Sequence, residues 1–510
     1  MRGPPPSTAR NQNSGLAREG LAVVLTDHEV LVTPPPQTAP EDRVPFGQKV
    51  AYGIGMLGNQ MFPAALGVFM VVLVAGLGFP PLLWGILFFA PRLVDAITDP
   101  FMGFISDNTR SRFGRRRPYI FAGAILTGLA YIAMWQLYET NSLQYNFTYF
   151  LIGSIVFYVG ITIFGTPYVA MGYEMSRDFH ERTRLMAVAQ WIGQWAWVIV
   201  PWFWPLIYDP DLFESPAAAV RELAIWVGLG CMVLALVPAI FVKSPSTADA
   251  QHLRPLNRET LGENARAFID GFREAFRCAP FRKLCAATFL VFNSFNVVAA
   301  FSFFIIVYYL FGGDADAAGN WTAWFGTVSA LATTFLVIPI ITFISQRIGK
   351  KNTFLLAQGI SVVGYILFWW TFRPGTPLLM LAPLPLFSFG IGGLFTLMTS
   401  MTADVCDLDE LSTGTRREGT FAAIYWWMVK FGLAFAGGLS GLIMGLAGFV
   451  PDAASQPPGA VTGLRIAYTV VPVVGALLAM WFMRDYDLTE VRANEVREEL
   501  ERRRGVTPLT

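Results

Sequence analysis

Twelve long apolar runs, nearly free of charge and separated by charged segments, constrain this chain more than any other feature. They lie near 50–75, 82–104, 119–138, 147–168, 185–205, 223–242, 284–311, 324–345, 353–372, 377–400, 420–446 and 464–483. Most have the roughly 20 residues a helix needs to cross the hydrocarbon core. In lipid each backbone polar group must be satisfied internally, which a helix achieves within a single segment. The expected fold class is therefore an all-α integral membrane protein with 12 transmembrane helices. Only 14% of residues are Asp, Glu, Lys or Arg, against about 25% in soluble domains. The net charge is +1, so no global field recruits nucleic acid.

Lys and Arg set the orientation. Arg110, Arg112, Arg115, Arg116 and Arg117 follow span two, Arg177, Arg182 and Arg184 follow span four, and Arg347, Lys350 and Lys351 follow span eight. Alternate loops hold mainly Asp and Glu. Basic loops stay cytoplasmic, which places both termini inside. The expected organisation is a disordered cytoplasmic tail over 1–48, polar, proline-rich and lacking the apolar core of a signal peptide. A six-helix bundle over 49–242 and a second over 284–484 flank a cytoplasmic linker over 243–283, and a charged cytoplasmic tail covers 485–510. The linker contains a predicted amphipathic helix over 262–276, with Phe268, Ile269, Phe272 and Phe276 as its apolar stripe. An internal echo points to duplication: Arg112-Phe113-Gly114-Arg115-Arg116 after span two, and Arg347-Ile348-Gly349-Lys350-Lys351 after span eight. Two equivalent bundles rocking about a midplane site are the usual basis of alternating access.

Inside span two, Asp95 and Asp99 are four residues apart, so a helix stacks them on one face. Carboxylates at that depth are expensive and face a bundle interior or a water-filled cavity. With Arg92 one turn earlier and Lys430 in span eleven, they suggest a cation-handling site. Na+ needs several oxygen ligands, and carboxylates on successive turns supply some of them. A purely structural ionic cluster gives the same pattern, and so does a pair sharing a proton. Lys430 lies too far from a helix end to snorkel; it competes with the cation or holds an anionic head group. Asn59, Gln60, Thr162, Thr166, Gln190, Gln194, Asn293, Ser294 and Asn296 are neutral polar groups in spans one, four, five and seven. Each alone also fits a role as glue between helices. Thr162 stands out because Gly165 and Pro167 permit a kink and a close approach beside it.

The charged loops suggest gates. Asp107, Arg110 and Arg112 are expected to pair with opposing inner loops, with Glu181 and Arg182 in a matching loop after span four. Asp404 and Arg417 permit a further network on the same side. Topology and lipid head-group contact is the simpler account. His28, His180 and His252 fall in connecting segments and build neither a metal cluster nor a proton relay, and the four cysteines have no metal-site spacing and are expected to be free thiols. With no His/Cys/Asp constellation and no phosphate-cradling loop, an enzyme is not expected.

These stretches resemble the glycoside–pentoside–hexuronide cation symporter family of the major facilitator superfamily, from about residue 45 to 485. The most specific piece is Pro91-Arg92-Leu93-Val94-Asp95-Ala96-Ile97-Thr98-Asp99-Pro100, followed by Gly103 and Thr109-Arg110-Ser111-Arg112-Phe113-Gly114-Arg115. Pro167-Tyr168-Val169-Ala170-Met171, Arg417-Glu418-Gly419 and Lys430 add to it. The resemblance implies the major facilitator fold, two six-helix bundles, and Na+ (with H+ as the alternative) as coupling ion, without an organic cofactor. It places Asp95, Asp99 and Thr162 at the cation and Lys430 near cation and substrate. The acids with which the family grips sugar fall near Gln60 and at Gly165, and its arginine of helix five falls near Gln190, so the charged sugar clamp is gone.

That departure shapes the substrate expectation. The Asp-Ala-Ile-Thr-Asp-Pro element with Lys430 also resembles the sodium-dependent lysophospholipid carriers. A lysophospholipid is therefore the first expectation, with Lys430 or Arg92 meeting the phosphate and the aromatics of spans five and seven meeting the acyl chain. A glycoside or sugar is the alternative, contacted by Asn59, Gln60, Thr166, Gln190, Gln194 and Asn293. The expected protein is a monomeric Na+-coupled symporter of the bacterial cytoplasmic membrane, in contact with membrane lipids and an amphipathic small molecule.

Overall fold

A computed structural model of the chain describes residues 43–176, 179–248, 255–414, 417–451, 453 and 455–503. The tail expectations for 1–42 and 504–510 lie outside these residues, as do His28 and His252. The first half comprises span one (Phe46–Phe69, continued by Val72–Ala75), two (Pro81–Asp107), three (Arg117–Met134), four (Leu143–Glu174), five (Phe179–Ile199, continued through Val200–Trp202 and Phe203–Ile207) and six (Pro216–Phe241). A linker helix, Arg258–Ala275, leads to span seven (Ala279–Ile305), eight (Ala315–Leu331, running on to Ile338–Ile348), nine (Lys350–Thr371), ten (Leu384–Thr413), eleven (Glu418–Leu446) and twelve (Pro458–Arg484), and Glu490–Arg503 forms a tail helix. Among the described residues, eleven helices are long and apolar enough to cross a membrane. The helix of span five is not among them, because Glu181, Arg182 and Arg184 fall in its first turns.

Polar residues start these helices. Ser142, Ser215 and Asp314 accept hydrogen bonds from the amides of Tyr145, Ala218 and Ala317, satisfying donors that the first turn leaves open. Small residues then let the helices approach closely, as is usual where lipid removes the hydrophobic drive between helices. Span three packs on span four where a Cβ on Gly123 would stand 2.4 Å from the Phe164 nitrogen, and span nine packs on span ten where a Cβ on Gly364 would stand 2.6 Å from the Phe387 nitrogen. The halves are built alike, and the echo after spans two and eight carries into the backbone: Gly114 and Gly349 both have positive φ, 86° and 77°. Glycine occupies that left-handed region without a steric penalty.

The halves meet at the end away from the basic loops. Span two packs against span eleven and span five against span eight, a pseudo-twofold arrangement of equivalent helices. Glycines make the first seam: a Cβ on Gly441 would lie 2.3 Å from the Pro81 carbonyl oxygen, and one on Gly437 2.3 Å from Phe88 Cβ. Aromatics make the second seam, with Trp202 of span five edge-on to Trp324 of span eight at 5.4 Å, and beside it Trp204 stacks on Phe303 of span seven at 4.4 Å.

At the basic end a strap joins the halves. The linker helix starts with a capping box between Asn257 and Thr260, donates from Asn264 Nδ2 to the Pro100 carbonyl at 3.3 Å, and sets Phe272 against Trp427 at 5.6 Å. It thus lies across the basic ends of spans two and eleven. The expected stripe needs one correction: Ile269 is 49% exposed, because the face toward the spans runs through positions 264, 268, 271, 272 and 275. The tail helix is likewise more than a solvated charged face. Ala493, Val496 and Leu500 are buried, and Arg503 donates to the Leu411 carbonyl. None of the four cysteines is joined in a disulfide.

In the first turn of the span-five helix, ahead of its apolar run, buried Glu181 pairs with Lys49 at 2.7 Å and accepts from the Val44 amide at 3.0 Å, tying the start of span one to span five. Burial works to raise its pKa, but the hydrogen bonds from Lys49 and Val44 outweigh it and hold the carboxyl below the usual glutamate value. Glu181→Gln is therefore expected to lower stability by about 1–3 kcal/mol near neutral pH, read as a lower melting temperature in detergent. Because the folded pKa is depressed, that difference is present above the ordinary value of 4.5 and fades as pH falls below it.

Candidate functional site

Span two runs through Pro91 and Pro100, so Leu87 and Ala96 lack the amide that would normally bond their carbonyls. Within this helix Asp95 and Asp99 project toward spans four and eleven. Thr162 Oγ1 donates to Asp95 Oδ1 at 2.7 Å, and Thr166 Oγ1 to Asp99 Oδ1 at 3.1 Å. The same four-residue step therefore recurs on both helices, pairing each carboxylate with its own threonine. Lys430 reaches across from span eleven, with Nζ 2.8 Å from Asp95 Oδ2 and also bonded to Asp99 Oδ2. Two carboxylates and one ammonium leave a formal deficit of one positive charge.

Exposure gives the direction of access. The Asp95 side chain is only 6% exposed, while Asp99, one turn nearer the basic end, is 28% exposed and Lys430 30%. Opposite, toward the Gly441 and Trp202 seams, the halves are packed. The cluster thus opens toward the basic end and is closed at the other. Trp191, Phe335, Phe395 and Trp426, on spans five, eight, ten and eleven, are exposed as well.

The other sequence candidates take varied places. Arg92 Nε donates to Tyr158 OH at 2.8 Å, on span four. Asn59 faces Gly165, where an added Cβ would lie 3.3 Å from Asn59 Oδ1, and Gln60 accepts from Trp197 Nε1 at 3.3 Å. Gln190 is exposed and Gln194 half-buried on span five, while Asn293 is buried on span seven. Among the loop charges, Arg116 binds Asp107, and Arg115 and Arg116 bind Glu174 at 2.7 and 2.8 Å. Asp404 pairs with Lys350 at 2.6 Å, and Arg417 with Asp409 at 2.7 Å and with Glu274 of the linker helix. These pairs tie loops within a half or to the linker. Arg110 and Arg112 are exposed, Arg112 lying 4.7 Å from the Phe113 ring centre, and Arg182 donates to the Ser176 carbonyl.

Two members of the site were not singled out from sequence. Thr98 Oγ1 lies 3.0 Å from Thr162 Oγ1, and Tyr158 holds Arg92. Both were within reach of a helical-spacing argument, since Thr98 is three residues from Asp95 and Tyr158 four from Thr162.

Residues 51–490 match the family described as MFS/sugar transport protein. The chain belongs to that family. It is a multi-pass membrane carrier of the major facilitator superfamily, a non-catalytic class. Relatives of this family member include a glucuronide carrier protein homolog of Escherichia coli (strain K12), 27% identical over 90% of this chain and 96% of that protein. An isoprimeverose transporter of Lactiplantibacillus pentosus is 23% identical over 89% of this chain and 92% of its own length. Among solved structures, an inward-facing bacterial homolog of the human lysosomal transporter Spinster superposes with a TM-score of 0.62 at 14% identity, covering 91% of this chain and 99% of that one. At that identity the likeness concerns the fold alone.

Proposed function

We propose that the chain is a Na+-coupled symporter for a glycoside-class solute, belongs to the glycoside–pentoside–hexuronide branch, and works by alternating access with its basic loops and termini in the cytoplasm. The observation that carries this reading is Lys430 held between Asp95 and Asp99, each carboxylate also bonded to a threonine hydroxyl. The residual negative charge suits one monovalent cation, which takes the two Oδ2 positions when Lys430 swings away. The hydroxyls of Thr98, Thr162 and Thr166 favour Na+ over a proton, because a hard metal cation needs several oxygen ligands and a proton needs one. With the basic end cytoplasmic, the closed Gly441 seam is the outer gate.

The relatives' names favour a glycoside over the lysophospholipid expected first. The aromatics of span seven favour it too. Phe292, Phe303 and Phe304 are buried in contacts with Phe395, Trp204 and Phe449. They serve helix packing and leave little apolar surface for an acyl chain on that span. Purified protein in liposomes with an inward Na+ gradient should accumulate labelled β-glycosides and leave labelled lysophosphatidylcholine at background. Na+-driven lysophosphatidylcholine uptake without glycoside uptake would reverse this reading.

A further inference from the structure

Two arginines stand at equivalent places in the two halves, at the end away from the basic loops. Arg221 lies near the start of span six and Arg465 near the start of span twelve. Arg221 Nη1 donates to the Leu137 carbonyl at 2.8 Å, just past span three, and its guanidinium carbon lies 4.6 Å from the Tyr138 ring centre. Arg465 Nη2 donates to the Trp369 carbonyl at 2.9 Å, in the last turns of span nine, and lies 4.4 Å from the Trp369 ring centre. The shared part is a helix cap, a cation at the carbonyl end of the neighbouring span.

Arg465 has more than a cap requires. A second ring, Tyr309 at the end of span seven, lies 3.8 Å from its guanidinium carbon. Rings against the flat guanidinium leave it to hydrogen-bond in its own plane. Among the described residues no carboxylate pairs with Arg465, and the Trp369 carbonyl is its one acceptor. Arg465, Trp369, Phe368, Phe372 and Tyr468 line one shallow cleft between spans nine and twelve. Tyr468 is 2% exposed, and its hydroxyl is buried with no hydrogen-bond partner. The first half has Ala224 three residues after Arg221, and so no matching hydroxyl.

Depth indicates what the cleft lacks. Span twelve has 27 residues, about 40 Å of helix against about 30 Å of hydrocarbon. Arg465 lies about 10 Å from its start, just inside the hydrocarbon, where an uncompensated charge is costly. A helical side chain leans toward the start of its helix, which here is toward the head groups. Tyr468 sits about 4.5 Å deeper. A glycerophospholipid presents its groups in that order, the phosphate above and the ester carbonyls below. Ile466 and Val470 of span twelve and Trp370 of span nine are exposed beside the cleft and offer apolar surface to its chains. Guanidinium with phosphate also makes a strong, charge-assisted bond.

We propose that this cleft holds one glycerophospholipid of the leaflet away from the basic loops, with its phosphate on Arg465 and an ester carbonyl on the Tyr468 hydroxyl. Delipidated protein in detergent is titrated with dioleoylphosphatidylglycerol. Bound lipid is counted by native mass spectrometry and located with a photoactivatable analogue. The label should fall in the peptides holding Trp369 and Tyr468. Arg465→Gln should weaken binding at this site by about tenfold or more and Tyr468→Phe by about fivefold, while Arg221→Gln leaves it unchanged. Because the Tyr468 hydroxyl has no protein partner, Tyr468→Phe should keep the lipid-free melting temperature, which separates lost lipid from lost fold. Dioleoylglycerol, which has no phosphate, should not displace the bound lipid. Displacement by millimolar inorganic phosphate would make this a free-anion site. Equal binding by wild type, Arg465→Gln and Tyr468→Phe, or label elsewhere, would leave Arg465 as a helix cap alone. Any of these results overturns the proposal.

Discussion

Asp95→Asn should abolish Na+-driven accumulation while the protein still folds. In the wild type, Asp95 and Asp99 together carry one formal negative charge more than Lys430 balances, and in the proposed mechanism that excess attracts the cation. With asparagine in place, Lys430 and Asp99 neutralise each other and the site no longer favours a cation. With the site's attraction for a cation gone, concentrative uptake should fall by about 100-fold or more, the equivalent of roughly 3 kcal/mol of coupling. The Thr162 hydroxyl can still donate to the asparagine Oδ1, and the melting temperature should therefore move far less than the transport rate. Full concentrative uptake by the variant would remove Asp95 from coupling.

Gly441→Leu should stop turnover at a different step. A Cβ at this position would stand 2.3 Å from the Pro81 carbonyl oxygen and 2.7 Å from Gly85 Cα. Both are backbone atoms on the facing helix, and neither can yield by a side-chain rotation. Spans two and eleven would have to part at the closed end, at a cost of about 1–3 kcal/mol for overpacking. That shifts the balance between carrier states by roughly 10–100-fold. Uptake should drop by a similar factor, while Na+ binding measured by calorimetry persists, since the carboxylates lie well inside the seam. Wild-type turnover in Gly441→Leu would show that the seam does not open during transport.

Much of this architecture is legible in the amino-acid sequence. Long uncharged runs specify helices because lipid leaves the backbone few other solutions, and Asp95, Asp99 and Lys430 stand out because charge at that depth needs a reason. Thr162 enters the site through the family resemblance and the kink that Gly165 and Pro167 permit, and its hydrogen bond to Asp95 is a contact between helices that spacing within each helix does not give. Less legible is whatever depends on how helices rotate about their axes. The phenylalanines of span seven look like a wall for an apolar chain, yet Phe303 and Phe304 are consumed by contacts with Trp204 and Phe449. Likewise, Ile269 fits an apolar stripe on paper but turns outward once Asn264 and Phe272 fix the linker helix to spans two and eleven. The loop charges show the same limit: Asp107 is drawn to Arg116 within its own loop, while Arg110 and Arg112 stay exposed.

The direct test of the shared carboxylate site is equilibrium binding of radioactive Na+ to the purified protein without solute. Wild type should bind one Na+ per chain, Asp95→Asn should bind none at the same concentrations, and Lys430→Met should bind more tightly because the competing ammonium is gone. Na+ binding that is unchanged in Asp95→Asn and in Lys430→Met would contradict the account.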